Sequence, residues 1–315
     1  MKRFDVIVVG ELNVDLIMSG ISAFPEVGKE VLGNRMVLVL GSSSAIFASN
    51  LASMGVKVAF IGKLGMDVFG DFILSCLEEK GVDTSMIKRS TLLQTGATVA
   101  LSYGEDRAMV TYPGAMAQLV PADIRVEMLA EARHVHFSSY FLQPGIRPYV
   151  RELFRTAKSL GLTTSFDPQW DPEEKWDIDL QQMLPHVDVF LPNEKELLLL
   201  TRSSSLPQAI ASVTGSGHII AVKQGGKGSY CCNRQEALFK PAYYNKSVVD
   251  AIGAGDSFNA GFIYKFLQNT SLAGCQEFGN LTGAVSTTAA GGTAAFTNFK
   301  NLMDYARQKF GYEGG

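Results

Sequence analysis

Val6-Ile7-Val8-Val9-Gly10 is the stretch from which the fold is read: four consecutive β-branched residues, then a glycine. A run this short, apolar at every position and stopped by glycine, reads as a strand buried on both faces of a parallel sheet. Runs of the same kind recur at 58–61, 134–137, 163–166, 187–191 and 218–222. Helical periodicity lies between them. Phe69, Ile73, Cys76 and Leu77 fall at i, i+4, i+7 and i+8, and Gly81 follows as a stop. Val150, Leu153, Phe154 and Ala157 repeat the pattern before Gly161. Alternation of this kind predicts a single α/β domain over residues 1–315, a three-layer αβα sandwich around a mainly parallel sheet.

Two stretches break the alternation. Met36–Leu40 is extended and runs straight into Gly41, with no helix-length spacer. Residues 98–103 and 108–112 flank Gly104-Glu-Asp-Arg107, the pattern of a hairpin. These segments predict a small β-sheet lid, drawn from about residues 14–40 and 93–113. The turn signals Pro25-Glu-Val-Gly28 and Pro113-Gly114 stand at its margins as hinges.

Composition narrows the class of function. Hydrophobic residues make up 46% of the 315 and charged residues 19%, enough for a large core and against disorder. Lys and Arg total 28 against 31 Asp and Glu, a net charge of −3 with no basic run, which disfavours nucleic acid or an anionic membrane as partner. No apolar run approaches the ~20 residues that span a bilayer. Cys76, Cys231, Cys232 and Cys275 lack C-x-x-C spacing and read as reduced thiols in the cytoplasm.

The densest chemical signal is Asp250-Ala-Ile-Gly253-Ala-Gly255-Asp256-Ser-Phe258. Gly253, Ala254 and Gly255 are small enough for a ligand to approach the backbone closely. Phe258, Phe262 and Phe266 then mark one face of a helix. A glycine loop opening a helix presents unpaired N–H groups at the positive end of the dipole, an anion site. Asp256 beside it is placed to accept a proton, and the pair suits phosphoryl transfer to a hydroxyl. Asp256 as a simple N-cap, and the glycines as a simple turn, is the competing reading. The segment has no dinucleotide fingerprint, and Gly225-Gly-Lys227-Gly-Ser229 lacks the G-K-[ST] of a Walker A loop. There is no G-x-S-x-G elbow for a serine hydrolase. His134 and His136 share a strand face but have no third ligand near in sequence, so they read as ordinary core or strand-end histidines.

From about residue 4 to about residue 300 the chain resembles the ribokinase-like sugar kinases, also called the phosphofructokinase-B family. Gly253-Ala-Gly255-Asp256 is similar to that family's C-terminal signature, and Gly10-Glu-Leu-Asn13-Val-Asp15 to its opening motif. Gly62-Lys-Leu-Gly65-Met-Asp67-Val-Phe-Gly70 resembles its glycine-spaced block, Leu191-Pro-Asn193-Glu-Lys-Glu196 its N-x-x-E element, and Val222-Lys223-Gln-Gly225-Gly-Lys-Gly228 its nucleotide loop. The resemblance implies Asp256 as base and the amides of Gly253 to Asp256 as anion hole. It implies Asn13, Asp15, Gly41 and Ser42 around the acceptor sugar. ATP is implied across Asn193, Lys223, Gly225, Gly228, Asn280 and Gly291, with Mg²⁺ ordered through water by Asn193 and Glu196. A potassium ion at Asp250 and the carbonyls of Ile252 and Gly291 is implied for many members. By this reading the protein is an ATP-dependent kinase of a ribose-, fructose- or ketodeoxygluconate-like sugar. A nucleoside kinase of the same family, or a non-catalytic sugar- or nucleotide-binding regulator, stands as the alternative. Lid strands with open edges suggest a homodimer paired through the lid.

The chain departs from that pattern in several places, among them Ile252 and Ala295, which replace the hydroxyl residues usual around the monovalent cation. Ser42 stands where a second glycine is usual, and Ile46 where a sugar-binding Asn is common. Gln169-Trp170-Asp171 follows Asp167-Pro168 where the family often has an Asn and an Arg. Lys223 replaces a Thr, and it suits either a phosphate or a neighbouring carboxylate. Asn193 and Glu196 also match a helix capping box.

Overall fold

The computed structural model describes residues 2–103, 106–215 and 217–314. In chain order the strands are β1 (Val6–Val9), β2 (Asn13–Ser19), β3 (Arg35–Leu40), β4 (Val58–Ile61), β5 (Lys63–Gly65), β6 (Lys88–Ser90), β7 (Gly96–Tyr103) and β8 (Asp106–Tyr112). They continue with β9 (His134–Ser138), β10 (Thr163–Asp167), β11 (Val189–Phe190), β12 (Ile219–Lys223), β13 (Ser229–Cys232) and β14 (Ala237–Lys240). The helices are α1 (Ser43–Ser53), α2 (Val68–Glu79), α3 (Val126–Ala130), α4 (Val150–Ser159), α5 (Leu180–Met183), α6 (Glu194–Thr201), α7 (Leu206–Val213), α8 (Ala254–Leu267), α9 (Leu272–Ser286) and α10 (Phe299–Phe310).

Eight strands form the main sheet in the order β14-β13-β12-β11-β10-β9-β1-β4. Pairing is parallel from β4 to β12, and β13 and β14 add antiparallel at one edge. The pleat sends alternate side chains to opposite faces. Ile7 and Val9 enter one core with Phe137, Leu153, Phe154 and Phe166. Val6 and Val8 enter a second core with Phe60, Phe258, Phe262 and Leu281. Each fully buried side chain of this size contributes about 1.5–3 kcal/mol, so the unbroken apolar run is explained by the need to feed both cores. These are the three layers expected from the alternation. The run at 187–191 yields only Val189–Phe190 as strand, although Asp188 N and Leu191 N still bond to Thr164 O and Phe166 O of β10.

The second sheet has the order β3-β2-β7-β8. β2 runs antiparallel to β3 and parallel to β7, and β7 and β8 form a hairpin. Two residues of the expected hairpin loop, Gly104 and Glu105, lie outside the described residues. β5 and β6 form a separate parallel pair.

His134 and His136 are core residues. Ser165 Oγ lies 2.7 Å from His134 Nε2 and 2.7 Å from His136 Nδ1, and the His136 ring stacks on Phe47 at 3.8 Å. Burial pushes the His134 imidazole down to about 3 and His136 well below its ordinary range, so both are neutral. Among the described residues no three His, Cys, Asp or Glu side chains converge to hold a metal, and no helix is long and apolar enough to cross a membrane.

Candidate active site

A cleft of about 390 Å³ opens between the ends of the main sheet's strands and the second sheet. Parallel α/β sheets bind ligands at the carboxyl ends of their strands, where helix N-termini converge. Asp15 comes from β2, Lys223 from the end of β12, and Ser42 and Ser43 from the start of α1. Asn193 and Glu196 come from the start of α6, and Gly253, Gly255 and Asp256 from the start of α8.

Gly253 has φ +73°, and a side chain there would meet Gly292 Cα at 2.5 Å, so the loop accepts only glycine. Ala254 N donates to Ala251 O at 3.3 Å. Gly255 and Asp256 are the second and third residues of α8, and among the described residues their amides have no acceptor. Asp256 is buried at that helix start, and its Oδ1 accepts a hydrogen bond from Gln169 Nε2 at 3.0 Å. Burial, reinforced by the charge of Asp167 and opposed by Lys223, pushes its carboxyl up to about 7.

On the other side of the cleft Asn13 Nδ2 donates to Asp15 Oδ1 at 2.9 Å and to Thr98 Oγ1 at 3.1 Å. Burial pushes Asp15 up to about 6, against the hydrogen bonds from Asn13 and Thr98. Gly41 lies against this pair: a side chain there would collide with the Asp15 carboxylate and with Asn13 Nδ2. Ser42 takes φ +69°, the left-handed conformation a glycine adopts freely. Its hydroxyl compensates by accepting from Ala45 N at 3.0 Å as N-cap and donating to Glu11 O at 2.6 Å. Ile46 lines the cleft floor and packs against Gly253 and Gly292.

Asn193 and Glu196 form the reciprocal capping box: Glu196 N donates to Asn193 Oδ1 at 2.8 Å and Asn193 N to Glu196 Oε2 at 2.9 Å. Both still face the cleft. Burial, with Asp167 next, pushes Glu196 up to about 7. Lys223 is paired with a carboxylate: Nζ lies 2.6 Å from Asp167 Oδ2 and 3.3 Å from Asn259 Oδ1. Burial works against its charge, yet Asp167 and Glu196 outweigh it and hold the ammonium above its usual range.

The other residues expected on the nucleotide side are dispersed. Gly225 lines the cleft, whereas Gly228 sits at φ +115° where a side chain would strike Lys240 O. Asn280 donates to Lys240 O and Pro241 O at 3.2 Å each and borders a separate hollow of about 280 Å³. Asp250 joins two loops, accepting from Ile252 N and from Gly291 N at 3.0 Å each.

Sequence reasoning assigned no role to Glu11, Asn50, Asp167, Gln169 or Asn259. Glu11 is buried and accepts from Ser44 N at 3.1 Å and from the Ser44 hydroxyl; burial raises its pKa. Asn50 Nδ2 ties Ser257 Oγ to Gly292 O, both at 2.9 Å. Asn259 lies three residues after Asp256 on α8, a spacing that places both on one face, and its side chain donates to Asp167 Oδ2 and accepts from Lys223 Nζ.

A family profile described as "pfkB family carbohydrate kinase" matches residues 3–298. The chain is 28% identical over 294 residues to the ATP-dependent ribose-1-phosphate kinase of Halopiger xanaduensis, covering 93% of this chain and 95% of that protein. It is 28% identical over 265 residues to the 2-dehydro-3-deoxygluconokinase of Bacillus subtilis, covering 80% and 82%. Its fold matches the structure of Arabidopsis thaliana ribokinase complexed with ribose and ATP, with a TM-score of 0.83 at 22% identity over 96% of this chain and 99% of that one. With the ribokinase-like fold, the glycine loop opening α8 and a profile spanning nearly its full length, the chain belongs to the pfkB family of carbohydrate kinases.

Proposed function

We propose that the protein transfers the γ-phosphoryl group of ATP to a hydroxyl of a small carbohydrate, ribose-, fructose- or ketodeoxygluconate-like. The observation that carries this is the start of α8, where Asp256 stands in the cleft beside two amides without acceptors. Asp256 takes the proton of the acceptor hydroxyl. The hydroxyl oxygen bonds to the γ-phosphorus, the bond to the bridging oxygen breaks, and ADP leaves with those electrons. The amides from Gly253 to Asp256 meet the charge on the transferred group. Ala254 is the weakest contributor, because Ala251 O already accepts from it.

The acceptor lies against Asn13 and Asp15, with the backbone of Gly41 and Ser42 beside it. The paired Asn13 and Asp15 suit a vicinal diol. The nucleotide lies along Gly225, between Asn193 and the Gly291 loop, with Gly228 shaping its turn and Asn280 fixing the strand that borders it. Lys223 acts through Asp167, to which it is bound. Glu196 and Asn193 fit a hydrated Mg²⁺, which would supply charge neutralisation at the phosphates; one carboxylate and one amide suit an ion that keeps most of its waters. Asp250, with the carbonyls of Ile252 and Gly291, fits a potassium ion, because its carboxylate draws those two loops together.

The second sheet acts as the lid over the acceptor and excludes water on closing. Its register also supports a homodimer. Leu16 lies between Leu38 and Val99, Val99 lies opposite Val110, and Met18 lies between Met36 and Leu101. That apolar face is opposite the one carrying Asp15 and Thr98, and Met36, Val99 and Val110 are exposed on it. A second copy would cover it, and light scattering on a Val110→Lys variant tests this. The protein works in the cytoplasm on small molecules.

The function is tested by ADP release from ATP and Mg²⁺ across a broad panel of pentoses, hexoses, deoxy-sugar acids, sugar phosphates and nucleosides. Saturable turnover of a carbohydrate supports it. Tight binding without turnover across the panel would instead favour a sugar-binding regulator.

A further inference from the structure

Gln169 carries one amide nitrogen to two carboxylates. Its Nε2 lies 3.0 Å from Asp167 Oδ2 and 3.0 Å from Asp256 Oδ1. A primary amide has two hydrogens on that nitrogen, so both bonds form at once. Asp167 is the fixed end of the bridge. It is fully buried; Oδ2 also receives Lys223 Nζ at 2.6 Å and Asn259 Nδ2 at 2.5 Å, and Oδ1 receives Gln169 N at 3.3 Å. Gln169 itself adopts φ +59°, a left-handed conformation unfavourable for a residue with a side chain. Strain of this kind persists where surrounding bonds over-determine it. Here the main-chain and side-chain nitrogens of the strained residue both close on Asp167.

We propose that Gln169 is a positioning residue for phosphoryl transfer, clamping Oδ1 of Asp256 to the immobile Asp167 and leaving Oδ2 as the oxygen that receives the acceptor's proton. This rests on the reading of Asp256 as base. The surroundings explain why an uncharged donor is needed. Asp167 of β10, Glu196 of α6 and Glu11 beyond β1 all act to protonate Asp256 or crowd it with negative charge, and Lys223 of β12 and the Ser43 hydroxyl of α1 oppose them. A carboxylate in such a setting without hydrogen-bond donors takes up a proton and ceases to be a base. An amide holds two carboxylates together without adding charge.

The test compares wild type with Gln169→Met, which keeps the volume and removes the donor, and Gln169→Glu, which keeps the shape and adds an acid. The first readout needs no acceptor: the titration of the Asp256 carboxyl by difference infrared spectroscopy, with Asp256→Asn as the blank. We expect it to move to higher pH by about one unit in Gln169→Met, and at least as far in Gln169→Glu. In turnover, Gln169→Met is expected to lower kcat by about 10–100-fold, leave KM for ATP within about twofold, and carry the acid limb of the pH profile upward with the titration. A role in folding alone would lower the melting temperature and leave the titration where it was. A titration unmoved in both variants, or a wild-type kcat in Gln169→Met, overturns the proposal. Activity surviving in Asp256→Asn would strike the base reading instead, while the titration still reports whether Gln169 holds that carboxyl.

Discussion

Lys223 Nζ lies 2.6 Å from Asp167 Oδ2, and both side chains are withdrawn from water at the cleft floor. The pair is the anchor for the rest of the site, since Asn259 and Gln169 bond to the same carboxylate oxygen. Removing one partner of a buried pair strands the other charge. Lys223→Met is therefore expected to destabilise the fold by about 3–5 kcal/mol, and Lys223→Met with Asp167→Asn by less than either single change. Urea unfolding of the three variants measures this.

Asp256 and Glu196 give stability a pH dependence. Each carboxyl is raised to about 7 in the folded protein. A raised acid favours folding fully below its unfolded pKa, and that contribution is lost as pH rises through the folded value. Between pH 5 and 8 the wild type should lose more stability than Asp256→Asn, by on the order of 2 kcal/mol. Urea midpoints at each pH check the difference. With Asp256 as the proposed base, activity should run the other way, rising with pH through about 7 as that carboxyl ionises, which a pH profile of kcat checks.

Gly41 faces the Asp15 and Asn13 side chains at a distance no β-carbon tolerates. Gly41→Ala should displace that pair and raise KM for the acceptor at least about tenfold, with KM for ATP unchanged. Steady-state kinetics with each substrate varied in turn separates the two.

Ser42 sits in the left-handed region yet caps α1. Ser42→Gly relieves the strain and removes the cap and the bond to Glu11. The two effects oppose each other, each about 1 kcal/mol, so the melting temperature should change little. Ser42→Val keeps the strain without the hydroxyl and should lower it clearly.

The fold was legible because one feature repeats: runs such as Val6–Val9 are apolar on both faces, and that happens where helices cover both sides of a sheet. The glycine loop at Gly253 was legible for a local reason, its backbone conformation. What the sequence hid is the cross-chain network. Lys223 stood between phosphate and carboxylate as partner, and only the approach of β10 to β12 through β11 brings it to Asp167. Gln169 reaches Asp256 across 87 residues, and no periodicity records such a meeting. Glu196 fits both a capping box and a place in the cleft, and the structure shows these to be compatible.

The central claim is that Asp256 removes the acceptor's proton beside the amides that receive the phosphoryl group. The most direct measurement is kcat of Asp256→Asn with the acceptor found in the screen, alongside calorimetric affinities for that acceptor and for the ATP analogue AMP-PNP. The account predicts a loss of about 10²–10⁴-fold in kcat with both affinities nearly unchanged. A variant keeping more than about a tenth of wild-type kcat would contradict it.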